Sequence, residues 1–116
     1  MPYKALDADE IEAVNEGRAR RVRTALGVTA FGINQFHLPA GATGSDHDES
    51  ASGQEEVYFV LDGEGTMAVD GDTVELKPGR YVFVPPGTRR QVRASDAGLS
   101  WICVGSPPGR GYEPRR

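Results

Sequence analysis

The sequence predicts an all-β fold in a single domain, and three observations carry that expectation. Runs rich in β-branched and aromatic residues recur along the chain, among them VTAFGINQFHL, RYVFV and LSWICVG. The 15 glycines and 8 prolines fall between these runs instead of forming a low-complexity tract. Helical periodicity is nearly absent, and short strands separated by turn residues are the pattern of an antiparallel sandwich or closed barrel. With 116 residues, the chain has the size of one domain with one core.

The elements follow in order. Residues 1–28 read as an N-terminal arm and edge strand. Within it DADEIEAV, residues 7–14, offers Asp7 or Asp9 as a helix N-cap and acidic residues suited to a first turn. A short N-terminal helix or turn is therefore expected, stopped by Gly17. RARRVRTAL then places Arg18, Arg20, Arg21 and Arg23 within six residues. That cluster reads as a solvated or edge strand whose charges discourage unwanted pairing, with an anion site as the alternative.

Residues 29–105 read as the barrel. VTAFGINQFHL predicts a strand of roughly ten residues ending at Pro39 and Gly41. GATGSDHDESASGQ is too long for a tight hairpin and too polar for a strand interior, and loops of that length are often functional. EEVYFVLDGEGTMAVDGDTVEL predicts three short strands punctuated at Asp62-Gly63 and Asp70-Gly71, dipeptides that favour the primed turns of hairpins. In KPGRYVFVPPGTRRQVRA, Pro78-Gly79 is a turn, Tyr81 to Val84 a strand and Pro85-Pro86-Gly87 a rigid corner. Another strand is expected to begin near Arg90. LSWICVG closes the barrel, and residues 106–116 form a tail rich in Pro, Gly and Arg.

Composition narrows the function. Thirteen basic against seventeen acidic residues give a net charge of −4, which argues against a nucleic-acid partner. The apolar runs are far too short to span a bilayer, and the first ten residues lack the uninterrupted apolar core of a secretory signal. A cytoplasmic protein with no membrane partner is the expectation. Cys103 is the one cysteine, so no internal disulfide can form, and its apolar neighbours predict a buried, inert thiol.

Three residues carry the chemistry. His47 and Glu49 stand two apart, so in an extended segment both side chains project to one face. Glu56 opens the next strand on the face that takes Tyr58 and Val60, while Val57, Phe59 and Leu61 take the other. One imidazole and two carboxylates suit a divalent ion such as Zn, Mn, Ni or Fe. Tyr58, Tyr81 and Phe83 are expected to line a ligand cavity. His37 reads as a packed or exposed strand residue.

These residues resemble the cupins. That family's first motif is Gly, five residues, His-x-His, a few residues, Glu, six residues and Gly. This chain has Gly41, ATGSD, His47-Asp48-Glu49, SASGQE, Glu56, VYFVLD and Gly63. The second motif is Gly, five residues, Pro-x-Gly, two residues, His, three residues and Asn. Here Gly79, RYVFV, Pro85-Pro86-Gly87, TR, Arg90, QVR and Ala94 stand in those places. The resemblance covers about residues 29–105 and implies a double-stranded β-helix, a jelly-roll-like barrel. Carried over by position, it implies metal ligands His47, Glu49 and Glu56. It also implies pairing as homodimers, for which the arginine-bearing N-terminal strand is a candidate for exchange.

The chain departs from the pattern at two ligand positions. Glu49 replaces the second histidine, and Arg90 replaces the last one. A guanidinium is always charged and has no lone pair to donate, so Arg90 is not a ligand. Either a metal is held by the other three residues, with positions open for water or substrate, or Arg90 pairs with Glu49 or Glu56 and supplies the positive charge itself. If Arg90 points inward, period-two alternation turns Arg89 and Arg93 outward, leaving Arg90 to meet an acidic ligand alone.

Three functional readings follow. The first is a barrel that binds a small molecule near Arg90, His47 and the two glutamates, with a degenerate metal site. The second is a metal-dependent enzyme of oxygenase or isomerase type. The third is a structural module with a filled barrel.

Overall fold

The computed structural model describes residues 2–109. The expected C-terminal tail lies outside the described residues from position 110 onward. A 3-10 turn covers Ala8–Glu10, with the Glu10 carboxylate accepting from the backbone N–H of Asp7 at 2.8 Å. Strands β1 (Ala13–Val14) and β2 (Ala19–Arg20) follow, then helix α1 (Val22–Leu26), β3 (Gly32–Leu38), β4 (Glu55–Val69), β5 (Asp72–Leu76), β6 (Tyr81–Val84) and β7 (Arg90–Ser106). Every strand pairing is antiparallel. The all-β class and the double-stranded β-helix are as expected from the sequence.

Two long strands organise the barrel. The first half of β4 pairs with the second half of β7, flanked by β3 on one side and β6 on the other. The second half of β4 pairs with the first half of β7, flanked by β5 and by bridges from Thr43 and His47 to β7. Both strands thus leave one sheet and enter the other, and register shifts between Val60 and Gly65 mark the crossing. Bulges of this kind bend a strand and sharpen its twist.

This geometry corrects the expectation of a hairpin at Asp62-Gly63. The chain runs straight through it as β4, with Gly63 at φ 80° forming part of the bulge. A Cβ on Gly63 would collide with the carbonyl of Gly98 in β7, so glycine is needed there for close approach of two backbones. Asp70-Gly71 is the true hairpin: both residues have positive φ, 49° and 84°, and Val69 pairs with Asp72. That is the primed two-residue turn.

Three smaller differences have local causes. The expected helix over residues 7–14 shortens to a single turn, because Ala13 and Val14 pair with Arg20 and Ala19. The arginine-rich segment is split into β2 and α1, the latter ended by Gly27 at φ 81° with its N–H on the Arg23 carbonyl. β3 is seven residues long.

The core lies between the two sheets. Leu38, Tyr58, Val60, Met67, Leu76, Val84, Val92, Ala94, Leu99, Trp101 and Cys103 form one buried cluster. Met67 and Val84 are completely buried, and removing such side chains from water contributes about 1.5–3 kcal/mol each. Among the described residues, one charged residue joins these apolar groups as fully buried: Arg90.

Candidate functional site

Strand register brings the site together. On the inner face of the first sheet, Glu56 lies opposite Gly105 and Val84, and Tyr58 lies opposite Cys103 and Val82. From the second sheet, Arg90 is bridged to His47, with N–H to carbonyl bonds in both directions at 2.9 and 3.1 Å. The Glu49 N–H donates to the Pro86 carbonyl at 2.8 Å, tying the polar loop to the proline corner. Residues far apart in the chain therefore face one another across one cavity.

His47 and Glu49 meet as their spacing predicts, with Nε2 3.3 Å from Oε2. The other imidazole nitrogen, Nδ1, lies 3.2 Å from the Ser45 hydroxyl. Ser52 donates from its hydroxyl to Glu49 Oε1 at 2.7 Å, which orients that carboxylate. Donor atoms of His47, Glu49 and Glu56 all lie within 4.8 Å of one another.

Arg90 completes the cluster as a cation. Its Nη2 donates to Glu56 Oε1 at 2.7 Å, and the Arg90 side chain is entirely buried while that of Glu56 is 13% exposed. Arg90 Nε donates to the Tyr58 hydroxyl at 3.3 Å, and that hydroxyl donates to the same Glu56 oxygen at 3.0 Å. Nη1 donates to the carbonyls of Thr88 at 2.6 Å and Pro85 at 3.5 Å. Burial works against the charge on Arg90, but the bonds from Tyr58 and Glu56 outweigh it and raise its pKa. Burial raises the pKa of the Tyr58 phenol and of the Cys103 thiol, so both stay protonated at neutral pH. Cys103 is thus a buried thiol in which burial and the Glu56 carboxylate outweigh the nearby Arg90 charge, so the reactive thiolate is disfavoured. Asp48, beside the cluster, has its pKa lowered by bonds from Ser50.

The cavity has a volume of about 380 Å³ and is lined by Glu56, Tyr58, Arg90, His47 and Glu49 on its polar side. The barrel is not filled by side chains. Phe36, Leu38, Val92 and Trp101 supply its apolar walls, and the Phe36 and Trp101 rings stack with centroids 5.4 Å apart.

Two expected cavity residues are elsewhere. Tyr81 and Phe83 stand on the outer face, 69% and 57% exposed. The cause is register: they pair with Phe59 and Val57, the outward residues of β4, whereas Val82 and Val84 pair with inward Tyr58 and Glu56. Arg89 and Arg93 are exposed as alternation requires, and Arg89 pairs with Asp46 at 3.0 Å. His37 is also exposed, bonded to the Ser100 hydroxyl.

Sequence reasoning missed Phe36, Trp101 and Cys103 as cavity residues, along with Asn15 and Arg18 from the N-terminal arm. Alternation in GINQFHL puts Phe36 and Leu38 on one face, and that signal was available. The run WICV offers none, since inward Trp101 and Cys103 are as apolar as outward Ile102 and Val104.

Comparison with known proteins agrees with this architecture. Residues 34–105 match the cupin domain, and the chain belongs to that family. It is 30% identical over 105 residues to an uncharacterized protein of Streptomyces coelicolor, covering 90% of this chain and 97% of that one. Among solved structures, a cupin protein from Bacteroides fragilis superposes with a TM-score of 0.81 at 24% identity, covering 100% of this chain and 92% of the other. A sugar phosphate isomerase of the cupin superfamily from Silicibacter pomeroyi superposes with a TM-score of 0.75 at 26% identity, covering 90% of this chain and 76% of that one.

Proposed function

We propose that this cupin binds a small molecule in its barrel and that the Arg90–Glu56 ion pair takes the place of a metal's positive charge. The observation that carries the reading is the 2.7 Å contact between Arg90 Nη2 and Glu56 Oε1 in the wall of a cavity of about 380 Å³. That volume falls at the small end of the roughly 300–1,000 Å³ usual for ligand sites.

The donor set fits a divalent ion poorly. Glu56 would bind it through one oxygen while the other stays on the guanidinium, which places two cations on one carboxylate. A dication and a guanidinium about 4–5 Å apart repel by roughly 7 kcal/mol at an effective dielectric of about 20. Without a metal, Arg90 offsets the repulsion between Glu49 and Glu56 directly. Metal content measured on protein purified without added metal, with the effect of chelator on melting temperature, tests this. Substoichiometric metal and an unchanged melting temperature are expected.

One observation favours a second reading, a metal-dependent enzyme: the donor atoms of His47, Glu49 and Glu56 lie within 4.8 Å of one another. Those three residues would hold the ion. The structural neighbour described as a sugar phosphate isomerase is consistent with an isomerase-type reaction. Stoichiometric metal would move the assignment there.

We also propose a homodimer. Its support is the outer face of the first sheet, where Ile33, Val104, Val57 and Phe83 form one cross-strand row and Ile102, Phe59 and Tyr81 belong to the next. Val57, Tyr81, Phe83 and Val104 are all exposed, and among the described residues β6 pairs with β4 alone. A contiguous apolar face beside an uncharged edge strand is the kind of surface a second copy covers.

A further inference from the structure

We infer that the ligand of this cavity is a small amphipathic amine, its ammonium group taken by the carboxylates of Glu49 and Glu56 and its apolar body lying toward Phe36, Val92 and Trp101. The inference rests on the small-molecule reading above and adds the ligand's chemical class and orientation.

Strand register grades the cavity from polar to apolar. Along the inner face of the first sheet, successive rows hold Glu56 with Gly105, then Tyr58 with Cys103, then Val60 with Trp101 and Phe36. Four residues of strand separate the first row from the third, about 13 Å at the rise of an extended chain. The second sheet is graded in the same way, since Arg90, bridged to His47, is followed two residues on by Val92, which pairs with Met67. The 2.7 Å contact between Arg90 and Glu56 joins the polar ends of the two sheets. Carboxylates therefore stand at one end of the cavity, and the Phe36–Trp101 stack lies farther along it.

The polar end carries more fixed negative charge than positive. Glu49 and Glu56 face one fixed cation there, Arg90, whose guanidinium already donates to Tyr58, Glu56, Thr88 and Pro85. Arg18 also lines the cavity, but it is exposed, and its carbonyl accepts from the His37 N–H, five residues along β3 from the Gly32 that pairs with Gly105 in the Glu56 row. Its backbone is thus remote from the carboxylates.

The oxygens left over are presented to the cavity. Glu56 Oε1 accepts from both Arg90 and Tyr58, whereas Oε2 accepts from no nitrogen or oxygen donor among the described residues. That atom is not sealed away, because among the described residues the Trp101 indole nitrogen alone is both buried and unpaired. The Glu56 side chain, 13% exposed, lines the cavity, and so does Glu49, oriented by the Ser52 hydroxyl on its Oε1. Two carboxylates in a largely enclosed wall favour a cation, and an acidic ligand would meet their repulsion.

An ammonium answers this charge better than a dication does. At equal distance it meets half the repulsion from Arg90. Three N–H bonds of about 2.8 Å at tetrahedral angles hold their acceptors about 4.6 Å apart. That spacing fits within the 4.8 Å that encloses the donor atoms of His47, Glu49 and Glu56. The apolar rows then receive a carbon skeleton, as in ligand sites that are mostly apolar with a few placed polar groups.

Trp101 is the single tryptophan of the chain and lines the cavity, so its fluorescence reports occupancy. Phenethylamine, phenethyl alcohol and phenylacetate share one skeleton and differ in charge. Each is titrated into protein dialysed against chelator, so that no stray metal occupies the carboxylates. Phenethylamine is expected to change the emission saturably, with the alcohol at least about tenfold weaker and phenylacetate weaker still. Glu49→Gln is expected to weaken amine binding by about tenfold and to leave the alcohol unchanged, while Glu49→Asp, which keeps the charge, retains most of the amine binding. Alcohol or phenylacetate binding as tight as the amine's, or amine binding unchanged by Glu49→Gln, overturns the inference and leaves the small-molecule reading standing. Failure of all three probes at millimolar concentration overturns both.

Discussion

Glu56 and Arg90, 34 residues apart in the chain, meet at 2.7 Å across the inner wall of the barrel. Neither is free to act alone, because the Tyr58 hydroxyl bridges them, accepting from Arg90 Nε and donating to Glu56 Oε1. A buried pair of this kind is not a large net source of stability, since desolvation offsets much of the attraction. Breaking it is another matter.

Glu56→Gln should therefore cost roughly 3 kcal/mol, because it leaves the Arg90 charge buried without its counter-ion. Urea denaturation checks this through the midpoint. Glu56→Gln combined with Arg90→Met should cost clearly less than the two single changes added together, as expected for partners in one network. Additive losses would mean that the contact is incidental.

Stability should also fall at alkaline pH. Burial raises the pKa of the Cys103 thiol above its ordinary value near 9.0, and that of the Tyr58 phenol above its ordinary value near 10.0. The sign follows from proton counts. Above pH 9 the unfolded chain releases the thiol proton while the folded chain keeps it, so the unfolded state binds fewer protons and stability declines as pH rises. Below pH 9 this contribution is fully present. Cys103→Ala should flatten the first part of the decline in melting temperature above pH 9, and Tyr58→Phe the part that begins above pH 10.

How much of this was legible in the sequence differs between frame and site. The glycine and proline positions of both motifs announce the barrel, because turns and close approaches require those residues whatever surrounds them. Asp70-Gly71 was readable as a hairpin on the same grounds. Asp62-Gly63 was not, since the same dipeptide serves a bulge, and only the pairing of β4 with β7 decides between them. His47, Glu49 and Glu56 were legible from spacing and motif. The partner of Arg90 was left open between two glutamates, a choice set by the approach of two sheets. Tyr81 and Phe83 were misplaced because a four-residue apolar strand carries no polar residue to mark its outer face.

Gly63→Ala should destabilise the fold by about 1–3 kcal/mol or more, the range for overpacking, because the new methyl meets the Gly98 carbonyl and φ is positive. Gly71→Ala, equally left-handed but with open space around it, should cost less. Thermal melts of the two variants side by side separate the steric contribution from the conformational one.

The outer face gives a prediction about association. Light scattering should report a dimer, and Tyr81→Lys with Phe83→Lys should shift it toward monomer without loss of the folded circular dichroism spectrum. Both side chains are already exposed, so the change leaves the core untouched. A monomer in the unaltered protein would contradict the assignment of this face.

The central claim, that Arg90 stands in for a metal's charge, is tested most directly by calorimetric titration of zinc into the unaltered protein and into Arg90→His. The account predicts weak or undetectable uptake by the unaltered protein. It predicts one equivalent bound by the variant, in which a fourth donor replaces the competing cation. Tight stoichiometric binding by the unaltered protein, or no difference between the two, would contradict it.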